Sequence, residues 1–273
     1  MTDRYAVIGN PIAQSKSPLI HTAFAEVTGQ DLEYTKIEGP LDGFRKAVDD
    51  FRAAGGRGLN VTAPFKLQAY EMGTDRMERA QITGAANAMK FDGAQIHVDN
   101  FDGVGLTNDI QVNLGYPMKG RRVLMMGAGG AARGALLAFL EQGPGEVVVA
   151  NRTADKARQL ATLFVKRGNV RGSTYSDLGD ERFDIVVNAT SASLRGELPP
   201  VPATVFGEDC LAYELVYGKG LTPFLRLARN AGANRLADGV GMLVEQAAEA
   251  FVWWRGVRPE TRPLIDKLTV PLV

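Results

Sequence analysis

Cysteine and histidine are nearly missing from this chain, and so is any excess of charge. One cysteine, Cys210, stands among 273 residues. Alone it closes no intrachain disulfide and builds no zinc site, so a reducing compartment is permitted. The two histidines, His21 and His97, form no metal-ligand cluster, and no metal is expected. Each is expected to be structural. Lys plus Arg equals Asp plus Glu at 31 each. No net field draws the chain to nucleic acid or to an anionic membrane, so any anion site has to be local. A long apolar run is also lacking. The most apolar stretch, 123–140, carries Arg133 and a run of glycines, too broken for a membrane span. The first residues, MTDRYAVIGNPI, lack a basic segment followed by an apolar one. A signal peptide is therefore not expected, and a cytoplasmic protein is.

What is present is the pattern of an α/β protein. The length suits two domains, and 31 glycines suit many tight strand-to-helix turns. Tyr5–Ile8 reads as a strand. Ser17 then reads as an N-cap with Pro18 at the first helical position, and Gly29 closes the helix. Leu32–Ile37 and Gly58–Thr62 read as strands around a helix over 41–54, and a further helix starts at Pro64. Segments 85–91 and 94–98 form a hairpin around Asp92-Gly93. Beyond Gly103 strands over 121–126, 146–150, 184–188 and 211–215 alternate with helices over 131–142 and 153–166. That alternation predicts a parallel sheet with right-handed crossovers. A strongly amphipathic helix is expected over 240–251, followed by Trp253 and Trp254. The expected domains are 1–102, completed by helices in 240–273, and a Rossmann-type domain over 103–239, with a cleft between them.

The strand Arg121–Met126 leads into Gly127-Ala128-Gly129-Gly130-Ala131-Ala132, a G-x-G-x-x-[GA] turn. Small residues are needed there because the turn is tight, the backbone must approach a pyrophosphate, and helix must pack on strand. The helix N-terminus offers free N–H groups and a positive dipole end to phosphate. A glycine turn alone is a weak signal; the flanking strand, helix and next strand strengthen it. An NAD-binding chain usually ends that next strand in a carboxylate for the ribose 2′-OH. Here it ends Ala150-Asn151-Arg152-Thr153, with Lys156 one turn on. Arg152 offers a fork that fits a 2′-phosphate, and Lys156 adds charge, which points to NADP. The plainer reading, Thr153 as a helix cap beside a solvated Arg, is compatible with this one.

The segment Asn60-Val61-Thr62-Ala63-Pro64-Phe65-Lys66 sits at a strand end and a helix start. Asn60 and Thr62 point to one side of the extended chain. Lys66 in a first helical turn opposes the dipole, so it calls for a carboxylate partner. Asp102, in the turn Asn100-Phe101-Asp102-Gly103, is the candidate. Such a pair can pass a proton to and from a substrate oxygen. Taken singly, each is an ordinary surface charge. A nucleotide- and ligand-sensing protein without turnover is the rival of another class; the presence of both Lys66 and Asp102 favours an enzyme.

At this point the residues resemble the shikimate dehydrogenase family over essentially the whole chain. Gly9-Asn10-Pro11-Ile12 with Ser15-Lys16-Ser17-Pro18 resembles the family's carboxylate-binding loop, and Asn60–Lys66 its catalytic lysine segment. Gly84-Ala85-Ala86-Asn87 resembles its substrate-binding Asn segment, and Asn100–Gly103 its catalytic Asp turn. Asn151-Arg152-Thr153 resembles its NADP clamp, and Asn188-Ala189-Thr190-Ser191 the stretch beside the cofactor ribose. Tyr217 and Gly241-Met242-Leu243-Val244-Glu245-Gln246 resemble its closing contacts. The resemblance implies an NADP-dependent oxidoreductase that interconverts shikimate and 3-dehydroshikimate, as a monomer or homodimer. Ser15 and Ser17 would hold the substrate carboxylate. Asn60, Asn87, Asp102 and Gln246 would bind ring hydroxyls, with Thr62 and Tyr217 positioning the ring. Lys66 would exchange the proton, oriented by Asp102. Gly127, Ala128, Gly129, Gly130, Ala131, Asn151, Arg152, Thr153, Lys156, Thr190, Leu215, Gly239 and Met242 would hold NADP. Quinate or aminoshikimate is the alternative substrate.

Three positions depart from the family pattern. Phe101 stands where Thr is usual, Ala86-Asn87-Ala88 replaces Val-Asn-Thr, and Glu214 replaces an Asp ahead of the Tyr. Together they imply a divergent member. If Phe101 faces the site, it shrinks the pocket, disfavours quinate and removes a hydrogen bond of about 0.5–1.5 kcal/mol.

Overall fold

The computed structural model describes residues 2–273. The chain divides into two compact units: Met1–Gly105 with Val244–Leu264, and Leu106–Leu243 with Ile265–Val273. The last nine residues thus group with the second unit, whereas the sequence pattern puts them with the first.

In the first unit the order is β1 (Asp3–Gly9), α1 (Ser17–Thr28), β2 (Leu32–Glu38), α2 (Phe44–Ala53), β3 (Gly56–Val61), α3 (Lys66–Met72), β4 (Asp75–Arg76), α4 (Glu78–Thr83), β5 (Ala88–Asp92) and β6 (Gln95–Asp99). The strands form one sheet in the order β2-β1-β3-β5-β6-β4. β1 is parallel to both neighbours, while β5 runs antiparallel to β3 and β6. β1 is buried on successive residues from Tyr5 to Gly9, as a central strand covered on both faces must be. The hairpin closes at Asp92↔Gln95, with Gly93 at φ 55°.

α5 (Asp102–Asn108) carries the chain onward. The second unit then holds β7 (Arg122–Met126), α6 (Gly130–Glu141), β8 (Glu146–Ala150), α7 (Ala154–Phe164), β9 (Val170–Ser173), β10 (Phe183–Asn188), β11 (Phe206–Glu214), α8 (Pro223–Asn230) and β12 (Arg235–Asp238). Its sheet is wholly parallel, in the order β12-β11-β10-β7-β8-β9. This is the doubly wound order, and its switch point lies between β7 and β10. α9 (Val240–Arg255) and α10 (Arg262–Leu268) end the chain. Among the described residues, no helix is long and apolar enough to cross a membrane.

Four expectations need correction. Ser17 is the first residue of α1 rather than its cap: its backbone N–H donates to Ser15 Oγ at 3.3 Å, so the earlier serine satisfies it. Thr153 holds the extended cap position of α7, but among the described residues its side chain makes no cap hydrogen bond. α9 runs on to Arg255, takes in both tryptophans and has no exposed residue among those described, so it is not strongly amphipathic. Its buried Glu245 is satisfied by Arg258 (3.0 Å) and Thr261 (2.6 Å). Phe101 is 3% exposed. Its ring lies edge-on to Trp253, with centroids 5.7 Å apart, and the Arg79 guanidinium sits 5.0 Å above it. Arg79 also pairs with buried Asp99. The ring is therefore core, not pocket wall, and it does not disfavour quinate by filling the pocket.

His21 sits at the centre of an aromatic cluster. It stacks on Tyr34 with centroids 4.2 Å apart and planes 3° from parallel, and Trp254 and Phe251 lie at 5.4 and 6.2 Å. His97 pairs with Asp75 at 2.7 Å. Burial pushes the His21 imidazole down to about 3. Between that value and the unfolded value of about 6.5, the unfolded chain binds a proton that the folded chain refuses. Stability is thus full above about 6.5 and falls as the pH drops toward 3, by about 1.4 kcal/mol per pH unit from this group. Denaturant unfolding of the wild type and His21→Phe across that range should show a shallower acid slope in the variant; equal slopes would contradict a neutral buried His21. Phe101→Thr should lose about 2–4 kcal/mol of stability. Denaturant unfolding reads that loss; unchanged stability would put the ring back in the pocket.

Candidate active site

Lys66 and Asp102 are each the first residue of a helix, α3 and α5. A carboxylate there is favoured by the dipole and a lysine is not, so the pair relieves the lysine. Lys66 Nζ donates to Asp102 Oδ2 at 2.6 Å, with side chains 33% and 16% exposed. The pair is open enough to meet a ligand and closed enough to escape full solvent screening. The backbone sets both ends. The turn after β3 closes through Phe65 N–H to Thr62 O at 3.0 Å, and Lys66 O accepts from Ala86 N–H at 2.9 Å. Asp102 N–H donates to Asn100 Oδ1 at 3.1 Å, while Asn100 Nδ2 reaches Ala85 O at 3.2 Å.

Asn87 joins these pieces. Its Nδ2 donates to Asp102 Oδ1 at 2.8 Å and to Gln246 Oε1 at 3.2 Å. Its Oδ1 accepts from Phe101 N–H at 2.9 Å, which fixes which way the amide points. Gln246 comes from α9, and Gly105 lets that helix approach: a Cβ there would lie 2.6 Å from Gln246 N. Asn60 Nδ2 reaches Asn87 O at 3.4 Å, and Tyr34 donates its hydroxyl to Asn60 Oδ1 at 2.6 Å. Burial pushes the Tyr34 phenol well above its usual range, with the Ser17 hydroxyl pulling the other way. Tyr34 is thus a permanent donor. Ser15 and Ser17 hydroxyls lie 3.2 Å apart at the start of α1. Thr62 is half-buried at the end of β3, and its N–H donates to Ile8 O. Lys66, Asp102, Asn60, Asn87 and Gln246 are therefore one connected network, with Ser15, Ser17 and Thr62 on the same unit.

In the second unit a cavity of about 530 Å³ lies at the switch point. Its lining includes Gly127, Ala128, Gly129, Gly130, Ala131, Asn151, Arg152, Thr153, Lys156 and Thr190. Gly127 has φ 104°, and a Cβ there would meet Thr190 Cγ2 at 3.1 Å. A Cβ on Gly129 or Gly130 meets nothing within 4 Å, so it would project into the space beside the start of α6. The backbone N–H groups are thereby left bare for a pyrophosphate. The exposed Arg152 and Lys156 supply cations. Asn188 orders the far wall: its Oδ1 accepts from Thr190 N–H (3.1 Å) and Thr190 Oγ1 (2.7 Å). Its Nδ2 donates to the fully buried Glu214 at 3.0 Å. Burial raises the Glu214 pKa, and Ser193, Val216 N–H, Asn188 and Thr222 oppose that rise. Glu214 is a structural hub rather than a ligand-facing acid. Glycine turn, donor set and cations fit a 2′-phosphorylated dinucleotide.

Leu215, Tyr217, Gly239 and Met242 lie outside the lining of this cavity. They follow the C-terminal ends of β11 and β12, where a Cβ on Gly239 would meet Leu215 O at 2.2 Å. Tyr217 is half-buried, which raises its pKa. Sequence reasoning missed Tyr34 and Asn100 beneath the Lys66 network, and Tyr175, Arg195 and Glu197 on the cavity. Asn100 was legible, standing two residues before Asp102 in an Asx-turn pattern. Tyr34 was one apolar position of an expected strand. Arg195 and Glu197 lie in a segment with no periodicity to place them.

The chain is similar to known proteins along nearly its whole length. Residues 7–89 match the shikimate dehydrogenase substrate binding domain, residues 110–195 the shikimate / quinate 5-dehydrogenase domain, and residues 239–268 the shikimate 5′-dehydrogenase C-terminal domain. The shikimate dehydrogenase (NADP(+)) of Nitrosospira multiformis is 56% identical over 98% of each chain. The crystal structure of an Ael1 enzyme from Pseudomonas putida is 61% identical, covers 100% of both chains and superposes with a TM-score of 0.97. The shikimate 5-dehydrogenase of Thermus thermophilus, solved in complex with NADP(H) and shikimate, is 32% identical over 97% of this chain and 98% of that one, with a TM-score of 0.87. With three domain models matched in order along it, this chain belongs to the shikimate dehydrogenase family.

Proposed function

We propose that this chain is an NADP-dependent shikimate dehydrogenase, interconverting 3-dehydroshikimate and shikimate. The observation that carries the reading is the Lys66–Asp102 pair at 2.6 Å, pinned by Asn87 and Gln246 on the unit that bears Ser15 and Ser17. Ser15 and Ser17 donate hydroxyl hydrogen bonds to the substrate carboxylate. Asn60, Asn87, Asp102 and Gln246 meet the ring hydroxyls, and Thr62 and Tyr217 position the ring. The glycine turn, Ala128, Ala131, Asn151, Arg152, Thr153, Lys156 and Thr190, with Leu215, Gly239 and Met242, would hold NADP, which would supply or accept the hydride. In the reducing direction Lys66 Nζ gives a proton to the carbonyl oxygen as the carbon gains the hydride. In the oxidising direction neutral Lys66 takes the hydroxyl proton back. Asp102 accepts a hydrogen bond from Lys66 and keeps the ammonium aimed at that oxygen. The buried, unpaired Cys210 is compatible with a reducing, cytoplasmic setting, and sedimentation would distinguish a monomer from a homodimer.

Lys66→Ala should lower kcat about 10²–10⁴-fold with a KM for shikimate within a few-fold of wild type. A raised KM with kcat unchanged would make Lys66 a binding residue only. Arg152→Ala should raise the KM for NADP+ about 10–100-fold while leaving that for NAD+ nearly unchanged. Equal effects on both coenzymes would remove Arg152 from 2′-phosphate recognition.

A further inference from the structure

Arg195 and Glu197 line the same cavity as Arg152 and Lys156. Arg195 ends the short helical turn Ala192–Arg195 after β10, and Gly196, at φ 69°, turns the chain so that Glu197 faces it. The guanidinium meets the carboxylate as a fork: Nε to Oε1 at 2.9 Å and Nη2 to Oε2 at 2.7 Å. Its third nitrogen, Nη1, donates to Ser191 Oγ at 3.1 Å. Ser191 lines the cavity too.

The side chains of the pair are 52% and 55% exposed. An ion pair in that setting is held only weakly, so the fork is free to change partners. The charges on the lining among the described residues are Arg152, Lys156 and Arg195 against Glu197. Arg195 and, more weakly, Arg152 hold the Glu197 carboxyl below its usual range, so it is ionised beside the cations. A phosphate monoester carries about 1.5–2 negative charges at neutral pH and accepts a guanidinium fork as a carboxylate does.

We propose that Arg195 is a further specificity-determining residue for the cofactor's 2′-phosphate, and that Glu197 is the competing anion it exchanges for that phosphate. The proposal rests on the NADP reading. Glu197 then has two effects: it occupies the fork before the cofactor arrives, and it repels the phosphate. Removing it should tighten binding, which a merely structural ion pair would not do.

Calorimetric binding of 2′,5′-ADP and of 5′-ADP to the intact protein tests this without turnover. Arg195→Ala should weaken 2′,5′-ADP about fivefold to tenfold and leave 5′-ADP within about twofold. Arg195→Lys should recover part of the loss, since charge stays and the fork goes. Glu197→Gln should tighten 2′,5′-ADP about twofold to fivefold. Equal weakening of both ligands by Arg195→Ala, no weakening of either, or weaker 2′,5′-ADP binding in Glu197→Gln would overturn the proposal. A wild type that prefers 2′,5′-ADP, with Arg152→Ala alone abolishing the preference, would overturn Arg195 and spare the NADP reading. A wild type without the preference would overturn both.

Discussion

Lys66 at the start of α3 is held by one carboxylate oxygen of Asp102, and the other oxygen is held by Asn87. Much of the first unit serves that arrangement. The antiparallel pairing of β3 with β5 brings the Asn60 strand end beside the Asn87 segment, and Val61 N–H to Asn87 O at 2.8 Å closes the gap. The hairpin of β5 and β6 brings Asn87 under the Asp102 turn, through Asn87 N–H to Asp99 O at 3.0 Å. Gly105 admits α9 so that Gln246 completes the set. Beneath it the Tyr34 phenol, kept protonated by burial, fixes Asn60. A lysine at a helix start is unfavourable on its own; here the surrounding amides make one geometry the satisfied one.

The second unit solves a different problem with backbone alone. Its parallel sheet reverses order between β7 and β10, so the loops after those strands leave a crevice. Gly127 turns the chain there and Gly129 and Gly130 leave the start of α6 uncovered. Arg152 and Lys156 line that crevice after β8, where a chain that binds the unphosphorylated ribose usually carries a carboxylate. The wall opposite is ordered from inside, by Glu214 through Asn188 to Thr190.

The parts of this fold that sequence reveals are those with a local cause. The glycine turn, the Lys66 helix start and the Asp92-Gly93 hairpin each need particular residues at fixed spacing, and the structure has them. The edge strands β9 and β12 went unseen because Val170–Ser173 and Arg235–Asp238 pair on one side only and carry mixed polarity. α8 was legible and missed: Thr222 caps it, accepting from Leu225 N–H at 3.3 Å, with Pro223 at its first position. Phe101 shows the opposite failure. Its place beside Asp102 suggests a ring facing the substrate, whereas the backbone turns that ring toward Trp253 and Arg79. That direction depends on α4 and α9, distant in sequence. The Arg195–Glu197 pair had no periodic context to mark it.

A Lys66–Asp102 site of this kind should turn over shikimate with NADP. The direct test is reduced-coenzyme formation by the purified protein across a matrix of shikimate and quinate with NADP+ and NAD+. Shikimate with NADP+ should give a kcat/KM at least about tenfold above shikimate with NAD+. Saturable shikimate binding without NADPH formation, or a preference for NAD+, would contradict it.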